Sequence, residues 1–183
     1  MHPQVQAWHD AFAAAPADAR RLCAGLDGVT FNAAPAAGAW SVGQCLDHLL
    51  RVGGPLVERL DAAITDLRQH DRRGAAPYAL GFVGGRFARS NGPGGRTVKT
   101  PGTYRPAETV GTPEEVLAAF ASLNQRLGQL VELGDGLALD RVRVASPALA
   151  ALRLNVAAWL ETTALHQQRH LAQAQRVRAA LGL

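Results

Sequence analysis

Cysteine is almost absent from this 183-residue sequence, which contains only Cys23 and Cys45. Two cysteines do not make a disulfide framework of the kind that small secreted domains use. Long hydrophobic runs are missing as well, and none approaches the roughly 20 residues that a membrane-spanning helix needs. The first residues also lack the basic segment followed by an apolar core that marks a signal peptide. We therefore expect a cytoplasmic protein without a membrane-embedded part.

Aromatic residues make up only 5% of the chain, and β-branched residues are sparse beside leucine and alanine. This composition favours helices over strands. A chain of this length can bury a substantial core, so we expect residues 1–183 to form a single domain. The predicted fold is all-α: a four-helix bundle with a long irregular crossover between its second and third helices. The four helices are predicted near residues 3–26, 41–70, 113–134 and 155–181.

Capping signals set the starts of three of these helices. Ser41 with Gln44, and Thr112 with Glu115, have the spacing of a capping box, in which each side chain bonds the other residue's backbone amide. Asn155 is a suitable N-cap for the last helix.

Helix breakers predict where the pattern is interrupted. Pro16 should kink or restart the first helix, because proline removes a backbone donor and clashes with the preceding turn. Residues 53–55, Gly-Gly-Pro, should produce a kink or an irregular turn in the second helix. Residues 27–39 are predicted to be a loop, and residues 146–152 are predicted to form one short helical turn.

The crossover, residues 71–111, differs in composition from the rest of the chain. It contains nine glycines and four prolines, and its seven basic residues outnumber its two acidic ones. A connection of this length suggests a lid, a crossover or a solvated linker. A positive segment over a cleft would attract anionic ligands, and the candidate anion-binding residues are Arg86, Arg89, Arg96 and Lys99. No nucleic-acid recognition motif is present, so we expect no specific nucleic-acid binding.

Two histidines, His166 and His170, stand four residues apart in the last predicted helix. Residues with this spacing lie one above the other on a helix face, where one metal ion can bridge them. Both fall on the inward-facing apolar side of the helix, together with Thr163 and Gln173. Buried imidazoles need a hydrogen bond or a metal. The pair therefore indicates either a metal site or hydrogen-bonded core histidines.

A metal site would need a third ligand, and His48 in the second predicted helix is the candidate. Neutral imidazole is a common ligand of divalent ions such as zinc and nickel. Three protein ligands leave a position open for water or substrate. Gln44, with Gln173, is a candidate for orienting the ligands. Cys45 could face the site as a fourth ligand or a redox thiol, but a buried, inert thiol is the favoured interpretation.

The arrangement of these residues along the chain resembles the DinB-like (YfiT-like, damage-inducible) superfamily of metal-binding four-helix bundles. The residues that carry the resemblance are Trp40-Ser41 followed by His48, then Ser146-Pro147, Leu152, Leu154-Asn155, His166, His170 and Gln173. The resemblance implies that His48, His166 and His170 bind a divalent metal ion, and that the chain forms a homodimer.

The resemblance leaves the reaction open. Similar proteins include transferases and isomerases that act with low-molecular-weight thiols, and this is the leading hypothesis, with a thiol as the small-molecule substrate. Metal-dependent hydrolysis is the second hypothesis. It would need a general base near the metal, and the nearby carboxylates of Asp47 and Glu161 do not fall on inward-facing helix positions. The third is a metal-binding or interaction protein without catalytic activity.

Overall fold

The computed structural model describes residues 1–95 and 100–183, and these are mostly helical. Two short strands and a 3-10 turn at Gly102–Tyr104 complete the described regular structure. The helices are α1 (Pro3–Cys23), α2 (Gly28–Asn32), α3 (Val42–Gln69), α4 (Gly81–Asn91), α5 (Pro113–Gly134) and α6 (Val156–Ala180), and the strands are β1 (Arg143–Ala145) and β2 (Arg153–Asn155).

The four long helices α1, α3, α5 and α6 form the predicted four-helix bundle. Helices α1 and α3 each pack against both α5 and α6. None of the described helices has the length and apolar character needed to cross a membrane.

The direction of the helices explains why the connection between α3 and α5 is long. Gly53 faces Leu123, and farther along both helices Ile64 faces Gly134, so α3 and α5 run parallel. A parallel neighbour can be reached only if the chain first returns along the whole length of the bundle. Part of this return is made by α4, which packs against α6.

The core is divided into two clusters of buried side chains along the bundle. One includes Trp8, Leu60, Leu127 and Leu160. The other lies toward the start of α3 and includes Phe31, Cys45, Leu49, Phe120 and Leu171. The histidines described below lie at this second end.

The crossover is long, as predicted, but it is not irregular throughout, because α4 occupies Gly81–Asn91. Glycine disfavours helices, so the sequence signal there is weak. Packing against α6 holds this helix. A Cβ atom on Gly84 would lie 2.7 Å from Ala158 Cβ, so glycine permits the close approach. The ring of Phe87 meets that of Trp159 edge-on at 5.8 Å.

Both predicted interruptions of the long helices lie inside continuous helices. Helix α1 continues through Pro16, so no restart occurs, and it ends at Cys23. Helix α3 likewise continues through Pro55. A proline inside a helix costs about 3 kcal/mol. Buried apolar residues on both sides, such as Phe12 and Ala19 around Pro16, offset that cost.

Two loops have more structure, or different structure, than the sequence suggested. Residues 27–39, predicted to be a loop, contain the short helix α2, which Asp27 caps through Thr30. The helical turn predicted for residues 146–152 is wrong, because this stretch is the turn of a β-hairpin. Strands β1 and β2 pair antiparallel, and Ser146 N donates to Leu152 O at 2.7 Å. The strand pairing on either side therefore determines the conformation of this stretch.

The arginine at position 178 joins the ends of α1 and α6. Its Nη1 donates to the carbonyl oxygens of Leu22 and Ala24 at 2.7 and 2.8 Å, and these carbonyls lie at the end of α1. We expect Arg178→Ala to lower the free energy of unfolding by about 1–3 kcal/mol, because it leaves helix-end carbonyls without a charged donor. Urea denaturation would measure this, with the exposed Arg141→Ala as the control. Equal stability of the two variants would contradict the capping role.

Candidate metal centre

Helix α6 carries two of the three predicted ligands. Asn155 caps this helix by accepting a hydrogen bond from Ala158 N at 2.8 Å, as predicted. The i,i+4 spacing then places the rings of His166 and His170 4.5 Å apart. His170 is buried and His166 is half-buried, so the face that carries them is directed into the protein.

Helix α3 carries the third histidine, two turns after its start. The predicted capping box is present, since Ser41 Oγ accepts from Gln44 N and Gln44 Oε1 accepts from Ser41 N, both at 3.0 Å. His48 is only 5% exposed. Its Nδ1 lies 2.7 Å from the carbonyl oxygen of Tyr104 in the crossover. Because a carbonyl oxygen only accepts, Nδ1 carries the proton in the neutral ring and Nε2 keeps a free lone pair.

The three imidazoles converge on one point, as the sequence predicted. Each can contribute one nitrogen so that all three nitrogens lie within 4.8 Å of one another. The Nε2 atoms of His48 and His166 are 3.3 Å apart. The Nδ1 atom of His170 is buried and has no hydrogen-bond partner among the described residues. A cluster of imidazole nitrogens with an unsatisfied buried member fits a divalent ion, since zinc and nickel both accept such ligands.

The pKa values of the three histidines are shifted so that the rings are neutral at physiological pH. Burial lowers the pKa of His48, and burial followed by the neighbouring imidazoles lowers that of His166 well below its usual value. Burial, then His48 and Arg169, lowers the pKa of His170 to about 3, while the nearby Gln173 amide opposes the shift. Neutral imidazole is the form that binds metals, so the site does not need to lose protons near pH 7.

The side chain of Trp40 forms one wall of the histidine cluster. Its ring centroid lies 4.9 Å from that of His48 and 5.7 Å from that of His170. Trp40 also packs against the apolar cluster that contains Cys45. Its contact with the histidines was missed. The position of Trp40 directly before the N-cap residue Ser41, near inward-facing residues of α3, is the sequence signal that could have predicted this contact.

The structure shows the surroundings of three other predicted residues at this site. Gln44, besides its capping role, donates from Nε2 to Ala107 O at 2.9 Å. Cys45 is buried, and burial raises the pKa of its thiol to about 12. Thr163 donates to the Trp159 carbonyl of its own helix at 2.8 Å. A role for any of them, or for Gln173, in orienting the metal ligands stays a prediction.

The predicted anion-binding residues are distributed over α4 and beyond. Arg86 and Arg89 are exposed on that helix. Arg96 and Lys99 lie outside the described residues. Anion binding by this segment therefore stays a prediction.

Comparison with known proteins agrees with the four-helix fold. The family model of the DinB superfamily matches residues 11–174. A solved structure, that of YfiT from Bacillus subtilis, superposes with a TM-score of 0.60 at 15% sequence identity, covering 100% of this chain and 90% of that chain. YfiT is described as a probable metal-dependent hydrolase with an unusual four-helix bundle topology. Among curated proteins none matches significantly. The family match spans most of the chain, and the predicted resemblance is thereby confirmed: this protein belongs to the DinB superfamily.

Proposed function

We propose that this protein is a divalent-metal-dependent enzyme of the thiol transferase or isomerase kind, with His48, His166 and His170 as the metal ligands. The observation that carries the proposal is the convergence of three neutral imidazoles in one buried cluster. Within the part of the chain that the structure describes, this cluster includes no carboxylate and no cysteine. The leading candidates for the ion are zinc and nickel.

The charge of the ligand set favours an anionic substrate group. Three neutral imidazoles leave the charge of a divalent ion uncompensated, whereas carboxylate ligands would neutralise part of it. When bound, such an ion supplies Lewis-acid stabilisation to a thiolate and so favours the nucleophilic form of a thiol. Arg169 adds positive charge close to His166 and His170, because it lowers the pKa of both.

The protein's own cysteine near the site is unsuited to be the nucleophile. Cys45 lies one turn before His48, but the pKa of its buried thiol is raised to about 12. At neutral pH this thiol stays protonated, and the thiolate is the reactive form. The reacting thiol would therefore come from a small-molecule substrate, as proposed.

Hydrolysis is the second candidate, and the description of YfiT is the observation that favours it. A hydrolase would need a general base near the metal. The two carboxylates closest in sequence to the histidines have other partners. Asp47 Oδ2 accepts from Arg51 Nε at 2.7 Å and from Ala107 N at 2.9 Å. Glu161 Oε2 accepts from Trp8 Nε1 at 2.6 Å. Hydrolysis therefore ranks second.

A panel of thiols offered with a chloro-dinitroarene would test the proposal on the metal-loaded protein. We expect conjugation with at least one thiol, and we expect His48→Ala to lower the rate by on the order of 100-fold, as when a charge-stabilising group is lost. His70→Ala is the control, because this exposed histidine lies on the same chain far from the cluster. A parallel assay with activated esters separates the candidates. Ester hydrolysis without thiol conjugation would favour the hydrolase candidate. If both assays showed no activity, the non-catalytic metal-binding protein would be the remaining alternative.

The homodimer and the cytoplasmic location are further proposals, and both rest on the family resemblance. Light scattering of the purified protein would measure the first, since a single-chain mass would contradict it. Fractionation of cells that express the protein would measure the second.

A further inference from the structure

A stretch of the crossover, residues 104–110, lies against the first turns of α3 and is here named the strap. The strap begins at Tyr104, whose carbonyl oxygen contacts His48 Nδ1 at 2.7 Å. This contact fixes which ring nitrogen of His48 carries the proton. Because the contact is made by a backbone atom, no side chain of the strap determines it directly. The position of the strap backbone must therefore be set by the residues that hold it.

One attachment holds the middle of the strap to α3, next to His48. The carboxylate of Asp47 accepts a hydrogen bond from Ala107 N at 2.9 Å, through the oxygen that also accepts from Arg51 Nε. Gln44 donates to Ala107 O at 2.9 Å and to Glu108 O at 3.3 Å. These hydrogen bonds are made by the side chains of Gln44 and Asp47, which lie within four positions of His48 in the sequence.

A second attachment holds the far end of the strap to the short helix α2. Val110 N donates to Asn32 Oδ1 at 2.9 Å, and Asn32 Nδ2 donates to Val110 O at 3.4 Å. Asn32 thus pairs with both backbone groups of one strap residue. This attachment is independent of α3 and is 16 positions from His48 in the sequence.

We propose that Asp47 and Asn32 are positioning residues of the metal centre, acting through the strap to keep the Tyr104 carbonyl on His48. The inference rests on the proposed metal site, because it assigns to these residues a role in metal affinity although neither is a ligand. The physical reason is that an irregular segment loses conformational freedom when it is held in place. Backbone groups that orient a ligating histidine contribute to metal affinity through the ring's orientation and basicity.

The structure also offers an alternative explanation for an effect of Asp47. Its negative charge lies beside His48 and raises the pKa of that ring, opposing the effect of burial. A change at Asp47 could then act through charge and not through the strap. Asp47→Asn distinguishes the two, because it removes the charge and keeps an oxygen that can accept from Ala107 N.

The experiment is a competition titration of the full chain with zinc against a chromophoric chelator. We expect Asp47→Ala to weaken zinc binding by about tenfold, the lower end of the range for residues that orient metal ligands. We expect Asp47→Asn to retain affinity close to that of the unaltered protein. Asn32→Ala should weaken binding in the same direction as Asp47→Ala. Asp66→Ala is the matched control, because Asp66 is an exposed aspartate of the same helix that pairs with His70.

A measurement on the metal-free protein makes the test independent of any activity. Nitrogen-15 NMR of the histidine rings should show His48 protonated at Nδ1, with that proton protected from exchange. In Asp47→Ala and Asn32→Ala the protection should fall, while circular dichroism should show the helices intact. A merely structural role would lower the melting temperature without changing this signature.

The outcomes separate the inference from the proposed function. The inference would be overturned if Asp47→Ala and Asn32→Ala both kept the zinc affinity and the His48 NMR signature of the unaltered protein. That result would not affect the proposed metal centre. Asp47→Asn binding as weakly as Asp47→Ala would also overturn it, in favour of charge. If the unaltered protein bound no zinc, the proposed metal centre would fail. The NMR signature would then still decide whether the strap positions His48.

Discussion

Replacing His166 with alanine is expected to abolish stoichiometric binding of a divalent metal ion and to leave the helical fold intact. His166 Nε2 lies 3.3 Å from His48 Nε2, so the two nitrogens face the same point. Without the His166 imidazole, only two histidine ligands would remain, whereas typical catalytic zinc sites have three protein ligands. The loss should exceed the roughly 10- to 100-fold effect of removing a residue that only orients a ligand. Titration calorimetry with zinc and with nickel would measure it.

The control for this variant is another histidine of the same chain. His70 caps the end of α3 and contacts Asp66 O at 3.0 Å, far from the cluster. His70→Ala should bind metal like the unaltered protein. If His166→Ala bound zinc as tightly as His70→Ala, the three histidines could not be the ligand set. Circular dichroism of both variants would show that any loss is local.

The metal-free protein is expected to lose stability steeply as the pH falls below about 6.5. The pKa of all three cluster histidines is lowered in the folded protein, and burial is the largest cause. In the unfolded chain each ring has its ordinary pKa of about 6.5. Between this value and the folded pKa, which for His170 is about 3, the unfolded chain binds more protons. Stability is therefore complete above about pH 6.5 and decreases toward lower pH.

The size of this effect follows from the number of protons taken up on unfolding. Each histidine that only the unfolded chain protonates contributes about 1.4 kcal/mol per pH unit. Urea denaturation in the presence of a chelator, at about pH 7 and about pH 5, would measure the sum. His170→Gln should reduce the pH dependence by the share of one histidine. A free energy of unfolding that stays constant over this range would contradict the lowered pKa values.

Metal and protons compete for the same nitrogens, which links the two predictions. Zinc binds the folded protein and should raise its melting temperature at about pH 7 by mass action. The same addition should still raise the melting temperature near pH 5, because the lowered pKa values of the folded ligands, about 3 for His170, delay proton competition to lower pH.

The sequence by itself determined the bundle helices and the histidine pair of α6. The local signals were strong: Ser41 with Gln44, Thr112 with Glu115, and Asn155 all cap the helices they were predicted to cap. The histidine pair on α6 could also be predicted, because an i,i+4 spacing has only one geometry on a helix. His48 required the family resemblance, since nothing local relates a residue of α3 to α6.

The sequence was misleading where packing outweighs local preference. Glycine-rich residues 81–91 were predicted to be irregular, yet contact with α6 makes them helical. Helices α1 and α3 continue through Pro16 and Pro55, so the predicted restart and irregular turn are wrong, whereas a kink at either position stays a prediction. In each case burial of neighbouring side chains outweighs a local cost of a few kcal/mol.

Only the tertiary structure decided what surrounds the histidines. The Tyr104 carbonyl that holds His48 is a backbone atom, so it leaves no trace in the residue type. Trp40 reaches His48 and His170 because the start of α3 and the later turns of α6 come together at one end of the bundle. The sequence placed Asp47 off the inward face of α3. From that position its carboxylate accepts the hydrogen bond from Ala107 N in the strap. Residue types and spacing indicate the candidate ligands. The groups that contact these histidines come from segments distant in sequence, and their meeting depends on how the whole chain packs.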